Sequence, residues 1–275
     1  MPRKIAASYT KAPVWIGAMG DSHVQNVAYD VRRGQFLPDV LAASLADETG
    51  RAVAARNCGI DGDTTRVSAA GGTWPGTTGM RERFGALTRF GVPDLGIIYG
   101  GTNDYTAIVL GGSFAAYPGV TTATVSATVT KANLQWLGEQ LLAAGCPRVL
   151  IGGYHLRNFA SGGDVTSGVI DTEASLLVDP GAVFGASTRY AQYQAYLAVA
   201  AAYPEVGSVP RVVWCDFYAF LKTHLETEAP AQIGVDTYYH VATGNTHLNA
   251  VGCALLAEAM LEAMPEAWIE ALAAA

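Results

Sequence analysis

Residues 14–23 read Val-Trp-Ile-Gly-Ala-Met-Gly-Asp-Ser-His. An apolar run to Met19, cut off by Gly20-Asp21-Ser22, is the pattern of a strand buried on both faces that delivers a small polar turn to the edge of a parallel sheet. The same phrase recurs twice. A second strand over 52–56 ends in Asn57-Cys58-Gly59, and a third over 94–99 ends in Gly100-Gly101-Thr102-Asn103-Asp104. Between them, Leu37, Val40, Leu41 and Leu45 fall near helical spacing and Gly50 supplies a stop. Residues 61–78, rich in Gly, Thr and Asp, read as a loop, and 80–90 as a helix.

The second half repeats the alternation. After a stretch of mixed character over 105–120, a helix is expected over 124–144, with Val125, Val129, Leu134, Leu137, Leu141 and Leu142 as its buried stripe and Gly145 closing it. Strands follow over 148–152 and 211–215, and helices over 189–203, 218–225, 249–264 and 266–274, with a loop over 228–246. Residues 154–185 are too long for a simple turn and are expected to be an insertion serving as lid or pocket wall. Strands alternating with helices predict an α/β fold with about five parallel strands covered on both faces. With no repeat and no linker, 1–275 reads as one domain.

Half of the 275 residues are apolar and only 15% are charged, with 31 glycines and 12 prolines spread along the chain. That excludes disordered, collagen-like and low-complexity classes. A net charge of −7 offers no general attraction to nucleic acid or an anionic bilayer. No apolar run is long enough to span a membrane, and the basic start lacks an apolar signal-peptide core, so the expected location is cytoplasmic or phage-particle-associated. Cys58, Cys146, Cys215 and Cys253 have no metal-like or disulfide-framework spacing and read as free, mostly buried thiols.

In an open parallel sheet the carboxyl ends of the strands share one edge, where the ligand crevice opens, so the three polar turns should converge. Ser22, just past a strand and before a helical turn, would present its hydroxyl beside unpaired backbone N–H groups, a suitable place for a nucleophile whose substrate becomes an oxyanion. Alone, it reads equally well as a helix cap. Gly59 lets a substrate oxygen approach its N–H, or is an ordinary turn glycine. Asn103 can donate its side-chain amide into the same crevice, or cap a turn. His247, in Asn245-Thr246-His247-Leu248-Asn249, can take the Ser22 proton and return it to a leaving alcohol, or is a surface loop residue.

Taken together, these residues give the chain a resemblance to the SGNH hydrolases, the GDSL esterase/lipase family. The blocks run in family order over nearly the whole chain: Gly20-Asp21-Ser22, with His23 where many members have Leu; Asn57-Cys58-Gly59-Ile60-Asp61-Gly62-Asp63-Thr64-Thr65; Gly101-Thr102-Asn103-Asp104; and His247-Leu248-Asn249 with Gly252. The resemblance implies a three-layer α/β/α sandwich like flavodoxin, with Ser22 as nucleophile and His247 as general base. It also implies an oxyanion hole of the Ser22 N–H, the Gly59 N–H and the Asn103 side chain.

One departure stands out. The family usually places an Asp three residues before the His, and here that residue is Gly244. The ring of His247 must then be oriented by Asp236, Asp216, the amide of Asn245 or a backbone carbonyl. No Gly-x-Ser-x-Gly elbow, dinucleotide or phosphate loop, or His-Glu-x-x-His occurs, and the five histidines have no metal-ligand spacing, although His155 could line the pocket. The reading requires no metal and no cofactor.

Trp74, Tyr105, Ile108, Leu110, Phe114, Tyr117, Tyr154, Leu156 and Phe159 lie in the segments expected to wall the crevice, with Arg66 and Arg157 as candidate contacts for an anionic group. Such walls suit a short acyl chain, an aromatic ester or a sugar face. The expected activity is hydrolysis of short-chain acyl or acetyl esters, acetylated carbohydrate among them, through an acyl-enzyme on Ser22. The alternatives are an acyltransferase using the same residues and a catalytically silent glycan-binding module on the same fold.

Overall fold

The computed structural model describes residues 11–25, 31, 34–61, 63–65, 79–101, 123–153, 198–199, 209–217, 219–220, 223–224 and 248–275. Five strands, β1 (Val14–Gly20), β2 (Val53–Asn57), β3 (Leu95–Tyr99), β4 (Val149–Gly152) and β5 (Val212–Cys215), form one parallel sheet in the order β2-β1-β3-β4-β5. Each lies within a residue or so of its expected span. In register, Ile16 stands opposite Leu95 and Gly20 opposite Tyr99, while Val14 to Ala18 run alongside Val53 to Asn57.

The helices are α1 (Ser22–Gln25), α2 (Leu37–Thr49), α3 (Gly85–Thr88), α4 (Ala123–Ala143), α5 (Ala250–Glu262) and α6 (Glu266–Ala274). Strand periodicity sorts the core onto two faces. On one, Ile16, Ala18, Leu95 and Ile97 pack in a cluster with Leu41 and Leu45 of α2 and with Leu256 and Met260 of α5. On the other, Met19, Ile98 and Ile151 pack in a cluster with Leu87 of α3 and with Leu134, Leu137 and Leu141 of α4. The sheet is therefore the middle layer of an α/β/α sandwich. Leu142, expected in the α4 stripe, is only partly buried, and Val125 and Val129 are among the residues whose side chains lie outside the description.

Helix ends follow local chemistry. Gly50 closes α2 at φ +64°, a left-handed conformation that favours glycine, and Asn249 caps α5 by accepting the Gly252 N–H at 3.0 Å. The carbonyls at the end of α6 accept from the buried Arg51, to Leu272 at 3.3 Å, and from Lys11, to Ala274 at 2.9 Å. Arg51 also holds the carbonyl of Ala12.

The expected helix over 80–90 is cut down to α3. Residues 80–84 form turns instead, in which Arg81 donates to Asn133 Oδ1 at 3.0 Å and Arg83 to the Cys58 carbonyl at 2.9 Å. These side-chain demands, with Gly85 inside the segment, outweigh its modest helical preference. The expected helix over 189–203, the insertion over 154–185 and the loop over 228–246 fall wholly or almost wholly outside the described residues, as does half of 218–225, where Ala219, Phe220, Thr223 and His224 are helical. Among the described residues no helix is long and apolar enough to cross a membrane. All four cysteines are free thiols, with Cys146, Cys215 and Cys253 buried.

Candidate active site

The chain builds β1, steps outward to β2 and then crosses to the other side of β1 to lay down β3. That reversal of direction makes the carboxyl ends of β1 and β3 the place where an α/β sheet opens a crevice. Ser22 is the first residue beyond the Gly20-Asp21 turn at the end of β1. It is 5% exposed, and neither its hydroxyl nor its N–H is hydrogen-bonded to another described residue. The Asp21 carbonyl accepts from Val24 N–H at 3.1 Å and Gln25 N–H at 3.0 Å, which starts α1 and leaves Ser22 at the head of its first turn.

The turn after β2 is stitched to the turn after β1. Cys58 N–H donates to the Ala18 carbonyl at 2.7 Å and Ile60 N–H to the Gly20 carbonyl at 3.0 Å, carrying the ladder past the strand ends. Asn57 Nδ2 donates to the Val24 carbonyl at 2.7 Å. Gly59 is forced by packing: a Cβ there would stand 2.9 Å from both the carbonyl carbon and the Cβ of Val24, and closer still to the Gln25 nitrogen. The turns that carry Ser22 and Gly59 are thus joined.

The Gly59 N–H is not idle. It donates to Asn57 Oδ1 at 2.9 Å, so an oxyanion can take this donor only by displacing the amide oxygen. Further along the same loop, the fully buried Asp63 pairs with Arg83, and Thr65 Oγ1 accepts from Asn133 Nδ2 of α4 at 3.2 Å. These contacts fasten the loop to the layer opposite α2 and α5.

Two residues that sequence reasoning left without a role emerge beside Ser22. Asp21 is fully buried, and its Oδ1 accepts from His23 N–H at 3.0 Å and meets His23 Nδ1 at 2.9 Å. The His23 ring stands edge-on to Tyr99, centroids 6.1 Å apart. The signal available in the sequence was Asp-x-His straddling the candidate nucleophile.

Asn103 and His247 lie outside the described residues, as do Gly244, Asn245, Asp236, His155, Arg66, Arg157 and the expected aromatic wall from Trp74 to Phe159. Their flanks are placed. Gly101, just past β3, has φ +114°, and Leu248, immediately after His247, is buried in the same core cluster as Val24. Asp216, one of the two acids considered for orienting His247, follows β5 and accepts the Ala219 N–H at 3.0 Å through Oδ1, as a helix cap does. Among the described residues no three His, Cys, Asp or Glu side chains gather as a metal site. Burial pushes the thiols of Cys58, Cys146 and Cys215 above the ordinary range, which makes them poor nucleophiles.

Residues 18–255, which include all of these elements from the end of β1 into α5, match the model of the GDSL-like lipase/acylhydrolase family. The chain belongs to that family. It is accordingly a carboxylic ester hydrolase. Solved structures agree on the architecture. The lipase Lip_vut3 from a goat rumen metagenome superposes with a TM-score of 0.55 at 12% identity, covering 91% of this chain and 97% of the other. The acetylxylan esterase Axe2 from Geobacillus stearothermophilus gives 0.52 at 15% identity, covering 93% and 95%. No curated protein sequence matches the chain.

Proposed function

We propose that this GDSL-family enzyme is a serine esterase that cleaves short-chain acyl or acetyl esters, acetylated carbohydrate among them, through an acyl-enzyme on Ser22. The observation that carries this reading is the setting of Ser22: at the crevice end of the strand beside the topological switch, heading a helical turn, with its hydroxyl and N–H uncommitted among the described residues. Similarity to Axe2, named an acetylxylan esterase, supports the substrate class.

In the proposed mechanism Ser22 Oγ attacks the ester carbonyl carbon while its proton passes to His247. The carbonyl oxygen becomes an oxyanion held by the Ser22 N–H and the Asn103 amide, and by the Gly59 N–H once it leaves Asn57 Oδ1. Collapse breaks the bond to the alcohol oxygen, which takes the proton from His247. Water then repeats the sequence in reverse roles, releasing the acid and restoring Ser22. Gly244 stands in place of the usual acid, which leaves Asp236, Asp216, the amide of Asn245 or a backbone carbonyl to orient the His247 ring.

The test is hydrolysis of p-nitrophenyl esters from acetate to octanoate near pH 8 by wild type and Ser22→Ala. Turnover highest on the shortest chains, and abolished in the variant, is the expected result. Equal activity in both proteins removes Ser22 from the chemistry. An added acceptor alcohol distinguishes hydrolysis from acyl transfer by the ester it forms.

A further inference from the structure

A carboxylate removed from water needs donors, and Asp21 is fully buried. Both hydrogen bonds that its side chain makes among the described residues come from one neighbour, His23: the backbone N–H at 3.0 Å and Nδ1 at 2.9 Å, converging on Oδ1. An ionised carboxylate only accepts, so a ring facing one carries its proton on Nδ1. The ring is itself held, 3% exposed and edge-on to Tyr99 of β3, whose strand partner is Gly20 of β1.

Ser22 lies between these two residues and makes no hydrogen bond of its own to any described residue. Its orientation is therefore set from outside. The Asp21 carbonyl starts α1 and the Asp21 side chain is anchored through His23 to the sheet, so the two together fix the peptide that carries the Ser22 N–H and the direction of its hydroxyl. A leucine at position 23, as many members of the family have, would fill the same buried space and donate nothing from its side chain.

We propose that His23 is a positioning residue for the nucleophile: by tying the buried Asp21 carboxylate to the floor at Tyr99, it fixes how Ser22 presents its hydroxyl and N–H. The inference rests on the reading of Ser22 as nucleophile. Its effect belongs in the chemical step and not in substrate capture, because misplacement of a reacting group by a fraction of an ångström lowers turnover steeply.

The experiment compares wild type, Ser22→Ala, His23→Leu and His23→Asn on p-nitrophenyl acetate, with kcat, KM and melting temperature measured for each. A second readout is the rate at which a fluorophosphonate labels Ser22, where Oγ bonds to phosphorus, fluoride leaves and the hydroxyl proton goes to the base. His23→Leu is expected to lower kcat and labelling together by about tenfold, with KM within about twofold, for loss of one buried bond to a charged group. His23→Asn, whose amide nitrogen can occupy the place of Nδ1, is expected to recover most of that loss.

Wild-type kcat and labelling in His23→Leu would overturn the inference while leaving the serine-esterase reading intact. So would equal impairment of both variants with equal loss of melting temperature, the mark of a merely structural role. Should His23→Leu not fold, His23→Asn decides, since a tenfold loss of kcat at unchanged melting temperature counts against positioning through Nδ1. Activity retained in Ser22→Ala brings down the nucleophile reading and this inference with it.

Discussion

Gly59→Ala tests the way the turns that carry Ser22 and Gly59 are joined. The new Cβ would lie 2.9 Å from Val24 C and Cβ, where ordinary contact begins near 3.4 Å, and would press harder on the Gln25 nitrogen. Backbone atoms cannot rotate away as a side-chain tip can, so the loop has to lift from α1 by at least about half an ångström. Overpacking of this kind costs up to about 3 kcal/mol. For a chain of this size that corresponds to a drop in melting temperature of roughly 6–12 °C. The same lift moves the 57–60 turn away from Ser22, so kcat should fall about tenfold even though alanine keeps the N–H. Differential scanning fluorimetry and p-nitrophenyl acetate kinetics read both effects. Gly50→Ala is the control: nothing lies within 4 Å of its Cβ, and only the left-handed φ of +64° opposes it, so it should cost about 1 kcal/mol and leave kcat unchanged. A Gly59→Ala enzyme that melts within 2 °C of wild type would refute the reasoning.

Asn103→Ala removes a proposed oxyanion donor and should lower kcat by about two to three orders of magnitude with little change in KM, measured on the same ester. Asp216→Asn keeps the cap on Ala219 and should retain activity within about threefold, whereas Asp216→Ala should cost about 1 kcal/mol in urea denaturation; a large loss of kcat in Asp216→Asn would instead identify it as the acid that orients His247. Thiol reactivity gives a pH prediction. Burial raises the folded-state values of Cys146 and Cys215 above the ordinary 9.0, so the stability they contribute is present below that pH and is lost as pH rises beyond it, when unfolded thiols ionise and folded ones do not. Native protein at pH 8 should resist iodoacetamide at both positions and react fully in urea; rapid native alkylation would contradict their burial.

The strand pattern carried the sheet because buried parallel strands read as short apolar runs with sharp polar stops, and all five runs ended within a residue of the observed strands. Gly50 was legible for the same reason, as local chemistry at a helix end. The helix over 80–90 misled because its fate is decided by partners far off in sequence, Asn133 for Arg81 and Asp63 for Arg83. At the site, the strand ends were legible but not the bonds around them: Asn57 Oδ1 on the Gly59 N–H, and His23, which holds the buried Asp21 and lies against Tyr99. Hydrogen bonds over one or two residues depend on side-chain direction, which periodicity does not record.

Arg51 and Lys11 grip carbonyls at the far end of α6, more than two hundred residues away along the chain. During synthesis the apolar face of α2, with Leu41 and Leu45, leaves the ribosome long before α5 exists to cover it. At ribosomal speed that interval is roughly 10–45 s. For that time the first half of the protein presents an uncovered sheet face, so a chaperone that shields nascent apolar surface should raise its yield more than it raises the rate of refolding from urea.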